Sequence, residues 1–131
     1  KININTNFLG KAQAALDELE AGMDFVYVHV EAPDECGHRF EIENKVKSIE
    51  IIDQQVVGPI LQGLEKFADY SVLILPDHPT PLPLRTHTPE PVPFLLYRKN
   101  SKKVSGVDGY DEFQAKSTGI FIEEGYTLMD Y

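Results

Sequence analysis

Asp34 and His38 stand four residues apart in "DECGH", Asp77 and His78 are adjacent in "PDHPT", and His87 follows in "RTHT". The chain has only four histidines, so three of them share this cluster. Two carboxylates and three imidazoles, with no cysteine pair, suit a borderline divalent ion such as Mn²⁺ or Zn²⁺. Thiolate sites are excluded by the single cysteine, and an all-oxygen calcium loop by the imidazoles. Five ligands exceed the need of one tetrahedral site and fall short of two closed ones. That arithmetic points to a two-metal centre that is incomplete in this chain. Against it stands the plain alternative that an Asp-His pair at a strand end is a turn or capping contact.

The elements that must position these residues follow from pattern. The stretch 6–22 reads as a helix: Thr6 or Asn7 can cap it, Ala12, Ala15, Leu16 and Leu19 form one face, and Gly22 ends it. Residues 24–30, "DFVYVHV", are almost continuously apolar and predict a strand buried on both faces. "APDECGH" then predicts a turn. From 43 to 67 apolar residues recur every three or four positions, with a break expected at Gly58-Pro59. "SVLILP" and "PFLLYR" predict two more strands, joined by a stiff proline loop, and helical pieces close the chain. This alternation predicts the α/β class, a three-layer arrangement with a mainly parallel sheet and helices on both faces. Ligands in such folds gather beyond the carboxyl ends of the strands, where Asp34, His38, Asp77 and His78 fall.

Other polar residues have blander readings. His29, inside "VYVHV", reads as a satisfied core histidine, and Cys36 as a small turn residue. Arg39, Lys45 and Lys47 read as helix-surface charge. Arg85, inside the liganding loop, is the anion-contact candidate for substrate.

Twelve Lys and Arg against 21 Asp and Glu give a net charge of -9, which argues against nucleic acid or an anionic membrane surface as partner. One cysteine favours a reducing, cytoplasmic setting, and no apolar run approaches the ~18–20 residues that span a bilayer. With 131 residues, one domain is expected. The start at Lys1, without methionine, suggests a piece of something longer.

At "HVEAPDECGH", "PDHPTPLPLRTHTPEPVPF" and "KVKSIEIID" the chain resembles the alkaline phosphatase superfamily. Within it, the likeness is to the archaeal-type cofactor-independent phosphoglycerate mutases, and it extends from "TNFLGKAQAAL" to "EEGYTLMDY". The resemblance implies an isomerase that interconverts 2- and 3-phosphoglycerate in glycolysis and gluconeogenesis. It implies transfer through a phosphoserine with two divalent metals, Mn²⁺ foremost, with Zn²⁺, Mg²⁺ or Co²⁺ as other occupants. It assigns Asp34, His38 and His87 to one metal, and Asp77 and His78 to the other. The family's further aspartate and its serine nucleophile lie upstream. Ser48, Ser71, Ser101, Ser105 and Ser117 lack the nucleophile's context. No catalytic nucleophile is therefore expected in residues 1–131, which resemble the C-terminal metal-binding segment of the catalytic domain, inactive alone. A metal-dependent phosphohydrolase or phosphodiesterase of the same superfamily, or a non-catalytic metal-binding domain, are the other readings. An exposed sheet edge makes a homo-oligomer plausible.

Overall fold

The computed structural model describes residues 6–131, so the chain's start at Lys1 lies outside the described residues. It divides into two compact units: one reaches to Ala68 and includes Pro79–Pro89, and the other combines Asp69–His78 with Glu90–Tyr131.

The first unit is helical. Helix α1 (Phe8–Glu20) begins where the Asn7 side chain accepts the Gly10 N–H at 2.9 Å. It ends in a Schellman turn: the Met23 N–H reaches the Glu18 carbonyl and the Gly22 N–H that of Leu19, both at 3.1 Å. Gly22 sits at φ 103°, a conformation that glycine adopts without the Cβ clash. The chain continues through α2 (Ala32–His38), α3 (Ile42–Ile52) and α4 (Gly58–Leu64). The break expected at Gly58-Pro59 is a π-helical turn over Asp53–Val57, in which the Gly58 N–H bonds the Asp53 carbonyl. A widened turn accommodates a proline that brings no donor. Phe8, Ala32 and Val56 form the buried centre, with Val28, Val30, Ile51, Ile52 and Ile60 packed around it.

Two expectations change in this unit. Residues 24–30 join no ladder and form no helix. Val26, Val28 and Val30 turn inward, while Phe25, Tyr27 and His29 are exposed, so one face is covered and not two. His29 is thus not a core histidine; it stacks on Tyr27, and its carbonyl accepts from Lys11 Nζ at 2.9 Å. The second change is at "APDECGH", which is helix α2 rather than a turn. Pro33 falls in its first turn, where a missing N–H costs nothing, and Asp34 and Glu35 complement the helix dipole there.

The second unit holds β1 (Ser71–Ile74) and β2 (Leu95–Arg98). They pair antiparallel, Ser71 opposite Arg98 and Ile74 opposite Leu95. The mainly parallel sheet expected from the alternation is therefore not what the described residues form. A parallel return needs a crossover, usually a helix, and the proline-rich connection between these strands contains none. Tyr70 and Tyr97 pack 5.9 Å apart beside the ladder. Helix α5 (Glu112–Ser117) starts at Asp111, whose carboxylate accepts the Gln114 N–H at 2.8 Å. Tyr110 Oη lies 3.2 Å from the Ile74 carbonyl and 3.1 Å from that of Pro93, tying the end of β1 to the approach to β2. A 3₁₀ turn over Gly125–Asp130 ends the chain.

Candidate metal centre

Because "APDECGH" is helical, Asp34 and His38 lie at i and i+4 and share a face. Asp34 Oδ2 is 3.3 Å from His38 Nε2. The loop Pro79–Pro89 brings His87 to the same point, with its Nε2 3.2 Å from Asp34 Oδ1 and 3.1 Å from His38 Nε2. Residues separated by 49 positions in sequence thus meet within the first unit. All three side chains keep some solvent exposure, between 31% and 50%, so the cluster is open to an incoming ion or substrate.

The outer nitrogen of His38 is also spoken for. Its Nδ1 lies 2.8 Å from the Arg85 carbonyl, which can only accept. The proton is therefore on Nδ1, and Nε2 presents a lone pair towards Asp34 and His87 in the neutral ring. Arg85 reaches this position at φ 54°, a left-handed conformation uncommon for a non-glycine residue. Two turn bonds to the Pro81 carbonyl, from the Leu84 and Arg85 N–H groups, hold the loop there. The Arg85 guanidinium lies over the Phe40 ring, 5.1 Å from its centre. Arg85's clearest structural contribution is thus its backbone carbonyl.

Thr80 and Lys45 carried no site assignment in the sequence. Thr80 is buried, and its hydroxyl donates to Asp34 Oδ1. Lys45 Nζ donates to the Thr80 carbonyl at 2.7 Å, so Lys45 is not simply surface charge. Nothing in "PDHPT" beyond proximity to Asp77 and His78 could have drawn attention to Thr80. Arg39, in contrast, is committed locally: it bonds Glu41 at 2.6 Å and Glu35 at 3.2 Å. The Arg39–Glu41 bond, and then one from Asn44, hold the Glu41 carboxyl down at about 2. Cys36 is buried, and burial together with Glu41 raises its thiol above the usual range.

Asp77 and His78 belong to the second unit. β1 ends at Ile74, so both lie beyond the ladder, as adjacent ligands require if they are to face one ion. His78 Nε2 is 3.3 Å from Asp77 Oδ2, and the His78 N–H donates to Asp77 Oδ1 at 3.0 Å.

The donor set can be tested against what a metal demands. Bonds of about 2.1 Å at tetrahedral to octahedral angles place neighbouring ligand atoms about 3.0–3.4 Å apart. The two imidazole nitrogens stand 3.1 Å apart, and the Asp34 carboxylate faces both, Oδ1 at 3.2 Å from His87 and Oδ2 at 3.3 Å from His38. One carboxylate and two imidazoles at that spacing fit a divalent ion of the borderline class.

Comparison with known proteins agrees with this chemistry. The profile of the Metalloenzyme superfamily matches residues 1–130. A protein of Geobacter sulfurreducens named a probable 2,3-bisphosphoglycerate-independent phosphoglycerate mutase is 54% identical over 127 residues, covering 97% of this chain and 32% of that protein. The 2,3-bisphosphoglycerate-independent phosphoglycerate mutase of Methanothrix thermoacetophila is 45% identical over 96% of this chain and 32% of its own length. One of Archaeoglobus fulgidus is 32% identical over 98% of this chain and 30% of its own. The chain thus spans about a third of the length of the curated relatives it matches. No solved structure matches it.

Proposed function

Because the chain belongs to the metalloenzyme superfamily, we propose that it supplies metal ligands to a 2,3-bisphosphoglycerate-independent phosphoglycerate mutase. The observation that carries this reading is the convergence of the Asp34 carboxylate, His38 Nε2 and His87 Nε2 within 3.1–3.3 Å contacts, assembled from a helix and a distant loop. Asp34, His38 and His87 would hold one divalent ion, and Asp77 and His78 would contribute to a second, with Mn²⁺ the preferred occupant of both. When bound, such ions make a serine hydroxyl available as a nucleophile near neutral pH and stabilise charge on a transferring phosphoryl group.

This chain's own residues do the holding. His38 keeps its proton on Nδ1 against the Arg85 carbonyl and offers Nε2; Asp34 supplies the negative charge that a chain of net charge -9 otherwise spreads over its surface. Arg85 remains the candidate for contact with the anionic phosphoglycerate. The serine nucleophile would come from the part of the relatives' length that this chain does not span. On this reading residues 1–131 are one segment of a three-layer α/β catalytic domain, the exposed side of residues 24–30 is covered by the remainder of its sheet, and the enzyme works in the cytoplasm.

A segment exchange tests the proposal. The stretch of the Geobacter sulfurreducens relative that matches this chain is replaced by this chain, and interconversion of 2- and 3-phosphoglycerate is followed with Mn²⁺ and without bisphosphoglycerate. Retained activity that disappears with His87→Ala is the expected result. An active chimera indifferent to His87→Ala would remove that residue from the mechanism.

A further inference from the structure

We propose that Thr80 is the positioning residue of the Asp34 carboxylate, fixed in place by Lys45 and admitted by Gly37. The inference rests on the metal reading above and extends it to groups that would not touch the ion.

Thr80 is held at three points. Its hydroxyl donates to Asp34 Oδ1. Its carbonyl accepts from Lys45 Nζ at 2.7 Å, and Lys45 stands on α3, where Ser48, fully buried, donates back to the Lys45 carbonyl at 2.7 Å. Its methyl group lies over Gly37: a Cβ on Gly37 would meet the Thr80 carbonyl at 2.8 Å, Lys45 Nζ at 2.9 Å and the Thr80 methyl at 2.9 Å. Glycine at 37 is therefore a requirement of close approach between α2 and the loop, not of backbone conformation.

The consequence falls on Asp34. A carboxylate on a single-turn spacing from His38 could rotate freely at its exposed end. The Thr80 hydroxyl fixes its plane, so that Oδ1 faces His87 and Oδ2 faces His38, at 3.2 and 3.3 Å. Partners of this kind, hydrogen-bonded to a ligand rather than to the metal, change metal affinity about 10–100-fold when removed. Lys45 adds no ligand; it fixes the position of Thr80 from the next helix.

The test is Mn²⁺ titration of the full chain, alongside thermal melting without metal. Thr80→Val keeps the shape and removes the donor; it should weaken Mn²⁺ binding by about tenfold or more while lowering the metal-free melting temperature only by the few degrees that one lost hydrogen bond costs. Thr80→Ser should restore binding. Lys45→Met should weaken binding in the same direction, and the double variant by less than the sum, since both act through one carboxylate. Unchanged affinity in Thr80→Val, whatever its metal-free melting temperature, would overturn the inference and leave Thr80 a packing residue. Absence of Mn²⁺ binding by the unsubstituted chain, or full binding by His87→Ala, would overturn the metal reading itself.

Discussion

At the scale of single residues, the site depends on protons being in the right place. His38 is prepared for metal by a backbone carbonyl, and Asp34 by two neighbouring imidazoles and a hydroxyl. The residue types and the Asp34–His38 spacing were legible in the sequence because i and i+4 in a helix, like a tight turn, both bring two side chains together. Thr80 was not, since a threonine in a proline loop has no signature until its partner is located. Cys36 shows how little type alone conveys. It lies between two candidate ligands, yet it is buried, and burial with Glu41 raises its thiol away from the reactive thiolate. Its reaction with a disulfide reagent near pH 8 is expected to be slow in the folded protein and fast after denaturation, a contrast that absorbance reads directly. Gly37→Ala should displace Thr80 and cost about 1–3 kcal/mol by overpacking, measured by urea unfolding.

At the scale of elements, the caps of α1 were readable, while the helix at "APDECGH" and the pairing of strands were not. Asn7 and Gly22 bound α1 as their side-chain chemistry dictates. Asn7→Ala should cost about 1 kcal/mol of stability through loss of the Gly10 bond. Strand partners are long-range facts: "PFLLYR" announces a strand but not its direction, and the antiparallel return followed from a connection without a crossover helix. Residues 24–30 likewise carry the composition of a strand covered on both faces while one side of Phe25 and Tyr27 stays open. Tyr110 secures the β1–β2 unit. Burial, with the nearby Glu112, pushes its phenol up to about 12, above the ordinary value near 10. A raised acid favours the folded state while neutral, so its contribution is complete below pH 10 and is lost as pH rises towards 12. Tyr110→Phe should lower stability by about 1 kcal/mol at pH 7 and remove this part of the alkaline transition in pH-dependent unfolding.

At the scale of the whole molecule, charge and folding are linked through a few carboxylates. The chain carries net charge -9, and none of its described helices is long and apolar enough to cross a membrane. Glu41, held at about 2 by Arg39 and then Asn44, has a lowered folded value. Its contribution is present above its ordinary value near 4.5 and is lost as pH falls through that value towards 2. Glu41→Gln should therefore flatten the acid side of the stability profile, as measured by circular dichroism. Asp34, His38 and His87 fall in one unit, and Asp77 and His78 in the other. That division was not legible, because the loop carrying His87 belongs to one unit while the strands it connects belong to the other.

Whether Asp34, His38 and His87 together hold one divalent ion is decided by long-range ¹H–¹⁵N NMR of the imidazoles. On addition of Zn²⁺, Nε2 of both His38 and His87 should shift as ligated nitrogens, Nδ1 of His38 should stay protonated against the Arg85 carbonyl, and His29 should not respond. Ligation through Nδ1 of His38, or spectra of His38 and His87 that zinc leaves unchanged, would contradict that shared site.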